Sequence, residues 1–557
     1  MRKKLISFVL FGALLSCSCQ NTAAPSLPPP KNDQQDLSGI SAGPALRISI
    51  IPAESAASLY GRLLPLKYSL EHTLKRRVTI KIAKDYDTII REIGNGQIHI
   101  ACLDPSTYCE ARARYGEKVI PLVKTAKQEG ELSRSVLIVK QDRGMEKIVE
   151  LKGKRIAFGH QRSTFGHLAP LAMLKDVGIG AEDFAAVDHF QQEDSVALSV
   201  LIGDHDAGAL SQLVAEKYLA DGLTVLKKSE EISRLVLCAS RDLSPATREL
   251  IVRGLVAPPD APDRERTKDG QIGRFTPAQD RDFDAVRVMI KNLSGKNYIE
   301  YGPNTIKVAI LPLYSAITLF ERYDPLMRYL SRKTGYEFKL VIPRDFEEFV
   351  EVVKKGNVNF SYQNPYVFSL IDRTVRLTPL VTTIGEEGAT AGEGAAGDRF
   401  RGVIITRADS KIRTVEDLRG KNVLVVSAKS AGGYLSQKLF LQQRGISVER
   451  DLMVREAKRQ ENVILGVYKG QADAGFVRES ALEVLKGEID MRQIRVLTRT
   501  QSLPNWPFSL CGKTNPSLVK KVARLLVDLN DRNVLGAAKI RGFRASSDAE
   551  FEGLRQY

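Results

Sequence analysis

Two short stretches carry residue types suited to holding an anion. Val425 to Tyr434 reads V-V-S-A-K-S-A-G-G-Y, and Ala157 to His167 reads A-F-G-H-Q-R-S-T-F-G-H. Each reads as a strand running into a small-residue turn that opens a helix. A hydroxyl and a glycine at such a turn leave backbone N–H groups and the positive end of the helix dipole facing an oxyanion. Ser163 and Gly166 precede Ser430 and Gly433 by one interval, 430 − 163 = 433 − 166 = 267, so the device is carried twice. Without a ligand the same residues would serve as plain helix caps.

Other chemistries lack their residues. The chain has no P-loop and no H-E-x-x-H, which argues against an enzyme. His160, His167, His189 and His205 invite a metal reading, but their spacing fits no zinc pattern, and neither metal nor cofactor is expected. Cys102, Cys109, Cys238 and Cys511 form no C-x-x-C pair, and buried free thiols are expected of most of them.

A chain of 557 residues with 43% hydrophobic and 27% charged residues suits two to four soluble domains. The net charge of +16 raises nucleic acid as a partner. Yet the densest basic stretch, Lys75 to Lys84, alternates like a strand with one solvated face, so no nucleic-acid partner is expected. The excess fits anionic small ligands or an anionic membrane surface better.

The first residues have their own pattern. Met1 to Lys4 is basic, Leu5 to Leu15 is apolar but too short to span a bilayer, and Leu14-Leu15-Ser16-Cys17 has the form of a lipobox. Residues 1–16 then read as a lipoprotein signal and Cys17 as the acylated first mature residue; a plain secretory signal is the alternative. Either exports the protein. Residues 17–45, with Pro28-Pro29-Pro30, read as a flexible tether holding the body off a membrane, and Ser18 leans to the outer one.

The elements that must position the two turns repeat as well. Leu46-R-I-S-I-I-Pro52 matches Ile306-K-V-A-I-L-Pro312, Asp85-Tyr86 matches Asp345-Phe346, and Asp104-Pro105 matches Asn364-Pro365, all at an interval of 260 (312 − 52). Beyond the Gly/Ala-rich stretch Gly385 to Asp398 the interval becomes 267, as for Asp206-Ala207-Gly208 against Asp473-Ala474-Gly475. A tandem duplication follows: domain one at 46–293, a linker at 294–305, domain two at 306–557. Short strands alternating with helical stretches in each copy predict α/β layers with a mainly parallel or mixed sheet, whose ligands lie at the carboxyl ends of strands.

Within domain two the strings D-F-E-E-F-V-E-V-V-K-K-G-N-V-N-F-S-Y-Q-N-P-Y, S-A-G-G-Y and E-N-V-I-L-G-V-Y-K-G-Q-A-D-A-G-F resemble the PhnD-like substrate-binding proteins of phosphate, phosphite and phosphonate ABC importers. The resemblance covers nearly all of domain two and, more weakly, domain one. It implies two tandem bilobed domains of the type II periplasmic binding fold, a cleft between the lobes of each, and a membrane permease as partner. The alternative is a lipoprotein sensor or scaffold with one or both clefts degenerate, signalling to a membrane receptor as partner rather than feeding transport.

Carried over by that resemblance, the ligand-binding residues of domain two are Tyr314, Asn364, Tyr366, Ser430, Gly432, Gly433 and Asp473. The ligand would be a small anion or zwitterion. Asp473 could meet an amino group of a zwitterion or merely cap a turn. In domain one Ser163, Thr164 and Gly166 match the turn, but Glu54, Asp104 and Ser106 replace Tyr314, Asn364 and Tyr366, and Glu193 stands near the family's usual histidine. Three carboxylates would repel an anion unless they pair with a cationic group of the ligand or with Arg162. The two domains are therefore expected to bind different things, if both bind. Trp506, in P-N-W-P, is expected to pack where the chain crosses back between lobes.

Overall fold

The computed structural model describes residues 41–555 apart from 127–132, 234, 257–273, 386–396, 458 and 486–488. The expected signal segment, Cys17, most of the tether and nearly all of the Gly/Ala-rich stretch lie outside the described residues. The first strand starts earlier than its apolar alternation suggests: β1 spans Ser41–Ile50, and Ser41 pairs with Arg76 beyond a register irregularity.

Each copy opens the same way. Leu46, Ile48 and Ile50 point inward from β1, and the next helix, Ala56–Leu74, is capped by Ser55 Oγ on Ser58 N at 3.3 Å. Leu59, Leu63, Leu66 and Leu70 recur at helical spacing and are all buried, so one face of this helix docks on the sheet. The second copy repeats this with Ser315 on Thr318 N at 3.3 Å and Leu319, Tyr323, Leu326 and Leu330 in the helix Ala316–Thr334. Both helices carry an interior proline at the matching position, Pro65 and Pro325.

The first half holds β2 (Arg76–Ile82), β3 (Ile100–Leu103), β4 (Val119–Thr125), β5 (Ser135–Lys140), β6 (Arg155–Phe158), β7 (Ala186–His189), β8 (Ala207–Ser211), β9 (Leu223–Lys228), β10 (Val236–Ser240) and β11 (Phe275–Pro277). They form a six-stranded sheet, β11-β4-β10-β3-β1-β2, and a five-stranded one, β7-β6-β8-β5-β9. These are the two lobes. The chain crosses between them after β4 and returns before β10.

The second half repeats the order. Its strands are β12 (Thr305–Ile310), β13 (Glu337–Val341), β14 (Phe360–Tyr362), β15 (Thr378–Gly385), β16 (Arg399–Phe400), β17 (Gly402–Arg407), β18 (Asn422–Val425), β19 (Met453–Glu456), β20 (Ala474–Arg478), β21 (Ile494–Arg499), β22 (Leu503–Pro504), β23 (Pro507–Leu510) and β24 (Ile540–Ala545). The sheets are β13-β12-β14-β23-β15-β24 and β19-β18-β20-β17-β21, with β16-β22 a short ribbon at the crossing. The sheets are mixed rather than mainly parallel. β1 runs parallel to β2 and β3, but β10, entering from the other lobe, runs antiparallel to β3 and β4, and β5 runs antiparallel to β8 and β9. Crossing between lobes reverses the direction in which the chain enters each sheet.

Trp506 lies on the returning crossing, 5% exposed, with its ring 5.2 Å from that of Tyr362 and its carbonyl accepting from Thr383 N at 3.0 Å. It packs, as its place in P-N-W-P suggests. The halves also share hydrophobic packing: Val288, in the helix Asp284–Ser294, is 1% exposed within the core of the second half, while Ile317 packs into the core of the first. Ion pairs Arg281–Asp324 and Arg328–Asp282, both 2.6 Å, and Lys291–Glu348 at 2.8 Å join them.

Candidate ligand clefts

In both halves the small-residue turn follows the carboxyl end of a central strand and closes by the same bonds. Ser163 Oγ accepts from Gly166 N at 2.9 Å, and Ser430 Oγ accepts from Gly433 N at 3.1 Å. Behind them Gly159 N donates to Gly166 O at 2.8 Å and Val426 N to Gly433 O at 3.3 Å. The glycines are required by close approach. A Cβ on Gly166 would lie 2.9 Å from Gly159 Cα, and one on Gly433 would lie 2.4 Å from Val426 Cγ2.

An ion pair spans the lobes beside each turn. Arg162 meets Asp87 at 2.7 Å in the first half, and Lys429 meets Glu347 in the second, at equivalent positions (429 − 162 = 267; 347 − 87 = 260). Around the turns, however, the halves diverge.

In the second half the cleft residues gather at the carboxyl ends of β12, β14, β18 and β20. Asn364, 5% exposed, caps the helix Pro365–Asp372 through Oδ1 on Val367 N at 3.0 Å. Tyr314 lies under the Arg322 guanidinium, 4.3 Å from ring centre to Cζ. Gly432 and Gly433 are buried and Ser430 is half-buried. Tyr366 faces a groove of about 530 Å³ that runs beside the turn, past Ala428, Tyr434, Lys438 and Arg450. Ser430, Gly432 and Gly433 do not line that groove; it flanks the turn rather than ending on it.

Two residues escaped the sequence reading. Arg478 ends β20, is 6% exposed, and holds its guanidinium 4.3 Å from the centre of the Phe400 ring. Its Cβ lies 3.2 Å from where a Cβ on Gly432 would stand, and the Phe400 ring under its guanidinium comes equally near that point, so the base of this side chain abuts the turn. The signal was present in D-A-G-F-V-R, four residues beyond Ala474, where the first half has Ser211. Gln363 follows β14, is fully buried, and neither end of its amide has a hydrogen-bond partner among the described residues.

Asp473 is a correction. It is exposed at the amino end of β20, and its Oδ2 accepts from Asn422 N at 2.9 Å. Because β18 and β20 run parallel, that places it at the opposite edge of the sheet from Ser430. Of its two readings the cap is the one its geometry matches, and Asp206 does the same for Arg155 N at 3.0 Å.

In the first half the expected binding residues are committed to bonds within the protein. Thr164 N donates to Asp104 Oδ2 at 2.8 Å, Thr164 Oγ1 accepts from Ser106 N at 2.8 Å, and Ser106 Oγ donates to Arg162 O at 2.5 Å. The carboxylates do not converge on Arg162, which instead pairs with Asp87 and, at 3.0 Å, with Glu110. Glu54 pairs with Arg62, and with Lys217 at 3.4 Å. Burial pushes its carboxyl up, but the two cations outweigh that and hold it low. Glu193 accepts from Ser211 N at 2.9 Å; burial pushes its carboxyl up to about 7, against those Ser211 bonds and with help from the charges of Glu54 and Asp104.

The histidines line this half. Tyr86 stacks on His160 with ring centres 4.1 Å apart, and His167 and His189 lie 5.0 Å apart. Burial lowers all three, His167 to about 4. Among the described residues no group of three or more His, Cys, Asp or Glu is placed to hold a metal. No described helix is long and apolar enough to cross a membrane.

Comparison with known proteins agrees with the duplication. The family model described as "ABC transporter, phosphonate, periplasmic substrate-binding protein" matches twice, over residues 48–283 and 308–551. The chain is 25% identical over 280 residues to the phosphate-import protein PhnD of Mycolicibacterium smegmatis, covering 45% of this chain and 84% of that one. It is 26% identical over 263 residues to the tetrathionate sensor histidine kinase TtrS of Salmonella typhimurium, covering 45% of this chain and 43% of that one. Among solved structures, PhnD1 of Prochlorococcus marinus in complex with methylphosphonate aligns with a TM-score of 0.41 at 18% identity, over 45% of this chain and 99% of that one.

Proposed function

From the premise that the chain belongs, twice over, to the periplasmic substrate-binding proteins of phosphonate ABC transporters, we propose that its second half captures a small oxyanion of the phosphonate, phosphite or phosphate-ester type for an ABC importer. The observation that carries this reading is Arg478, a buried arginine whose Cβ packs on Gly432 of the turn and whose guanidinium lies on Phe400, which packs on the same glycine. A fixed cation and a helix start together favour an oxyanion in a site where burial strengthens both. Ser430, Gly432 and Gly433 would seat its oxygens, with Arg478 and the turn on one side. Asn364, Tyr366 and Tyr314 would close over it from the other lobe. Gln363 would supply an amide donor and acceptor at the end of β14.

The chain would act from the extracytoplasmic face, held to a membrane through Cys17, and lobe closure would present the loaded half to a permease. Calorimetric titration of the exported chain with methylphosphonate, phosphite and phosphate tests the reading. Saturation at one ligand per chain is the expected result, and absence of heat with all three removes it.

The match to a sensor kinase favours a second reading, in which the same cleft reports to a membrane receptor instead of feeding a permease. Cross-linking in the native membrane separates the two, because a permease or a kinase would be recovered with the chain.

A further inference from the structure

We propose that Asp104 is a built-in substitute for the oxyanion of the first half: its carboxylate occupies the seat on the Ser163 turn and locks the two lobes together with no ligand bound. Asp104 leaves the carboxyl end of β3 in one lobe, and Thr164 opens the helical segment of the other. Asp104 Oδ2 accepts from Thr164 N at 2.8 Å while Oδ1 accepts from Thr107 N at 2.9 Å. One carboxylate thus joins two helix starts, the arrangement a free oxyanion would adopt between the lobes.

The second half shows why the charge type matters. Asn364 holds the equivalent position (364 − 104 = 260) and makes only the cap, Oδ1 on Val367 N. A carboxamide offers one acceptor end and one donor end, so it cannot accept from both helix starts as a carboxylate does.

Everything around Asp104 is consistent with a closed half. Asp104 is 4% exposed and Thr164 fully buried. Glu193 N donates across the lobes to Ala53 O at 3.0 Å, and Phe165, Leu168 and Ala169 of the helix pack into the core of the opposite lobe. With Glu54 and Glu193 also buried nearby, a second anion would meet three carboxylates. The proposal stands whether or not the second half binds a ligand.

The test uses the full chain carrying Asp104→Ala, melted at neutral pH in sodium chloride, formate or acetate of equal ionic strength. The variant should melt below the wild type in chloride. Formate or acetate, small enough for the space the side chain leaves, should raise the variant by about 3 °C or more and leave the wild type unmoved. A variant that melts like the wild type in chloride, or that neither carboxylate restores, overturns the proposal. If Asp104→Ala is not recovered folded in any of the salts, Asp104→Asn decides, since it keeps the Thr107 cap and loses only the second acceptor. A drop of more than about 3 °C relative to the wild type supports the proposal, and a smaller one overturns it.

Discussion

Gln460 Oε1 accepts the backbone N–H of Arg478 at 2.9 Å, and the equivalent residues of the first half, Glu193 and Ser211, make the same bond at 2.9 Å. The backbone geometry is kept and the charge inverted. Where the first half has a carboxyl with a hydroxyl, the second has a neutral amide with a guanidinium, which removes an acid from this corner of the fold and adds a cation.

The charge at Arg478 should therefore govern affinity in the second half. Arg478→Gln is expected to weaken oxyanion binding about 10- to 100-fold, the value of one or two charge-assisted hydrogen bonds. Calorimetry on folded protein checks it; unchanged affinity would remove Arg478 from the site.

Glu193 makes the first half respond to pH. Its folded value, about 7, lies above the ordinary carboxylate value of 4.5, so its contribution to stability is complete below about pH 4.5 and is lost as pH rises through 7. Glu193→Gln, which keeps an acceptor for Ser211, should be more stable than the wild type at pH 8 by on the order of 2–3 kcal/mol. The advantage should vanish by about pH 4.5. Denaturant titrations at several pH values measure it.

His167 acts in the opposite sense. Burial holds it down to about 4, so it is neutral in the fold, and the stability it permits is full above 6.5 and lost as pH falls toward 4. His167→Gln should flatten the loss of melting temperature between about pH 6.5 and 4. An unaltered acid limb would show that the loss arises elsewhere.

The close approaches behind the turns predict steric sensitivity. Gly433→Ala forces a Cβ to within 2.4 Å of Val426 Cγ2, and Gly166→Ala to within 2.9 Å of the Gly159 backbone. Each should cost about 1–3 kcal/mol, read by thermal unfolding, and Gly433→Ala should also weaken binding in the second half.

Val288 tests whether the halves are one folding unit. It lies on a helix of the first half yet is buried in the core of the second. Val288→Asp should leave a charge without a partner there, lower the melting temperature by several degrees and resolve calorimetric unfolding into two transitions.

The tandem repeat, the α/β layering and both turns were legible in the sequence, because intervals of 260 and 267 and a Ser-x-x-Gly at a strand end are local or countable patterns. Asp473 was misplaced for a physical reason. D-A-G marks the start of a strand, and only the parallel pairing of β18 with β20 shows that this start lies at the edge away from the cleft. Arg478 was missed because a lone arginine at the end of an apolar strand looks like a solvated terminus; its burial comes from Phe400 and Gly432, distant in the chain.

What the sequence determined by itself is that this chain carries two copies of one binding domain with the same turn in each. What only the tertiary structure decided is what meets each turn. Asp104 and Thr164 are 60 residues apart and in different lobes, joined by one 2.8 Å bond. Spacing along a chain records the elements of a fold. Which carboxylate or guanidinium reaches a given N–H depends on how two lobes close, and that is set by packing between residues far apart in sequence.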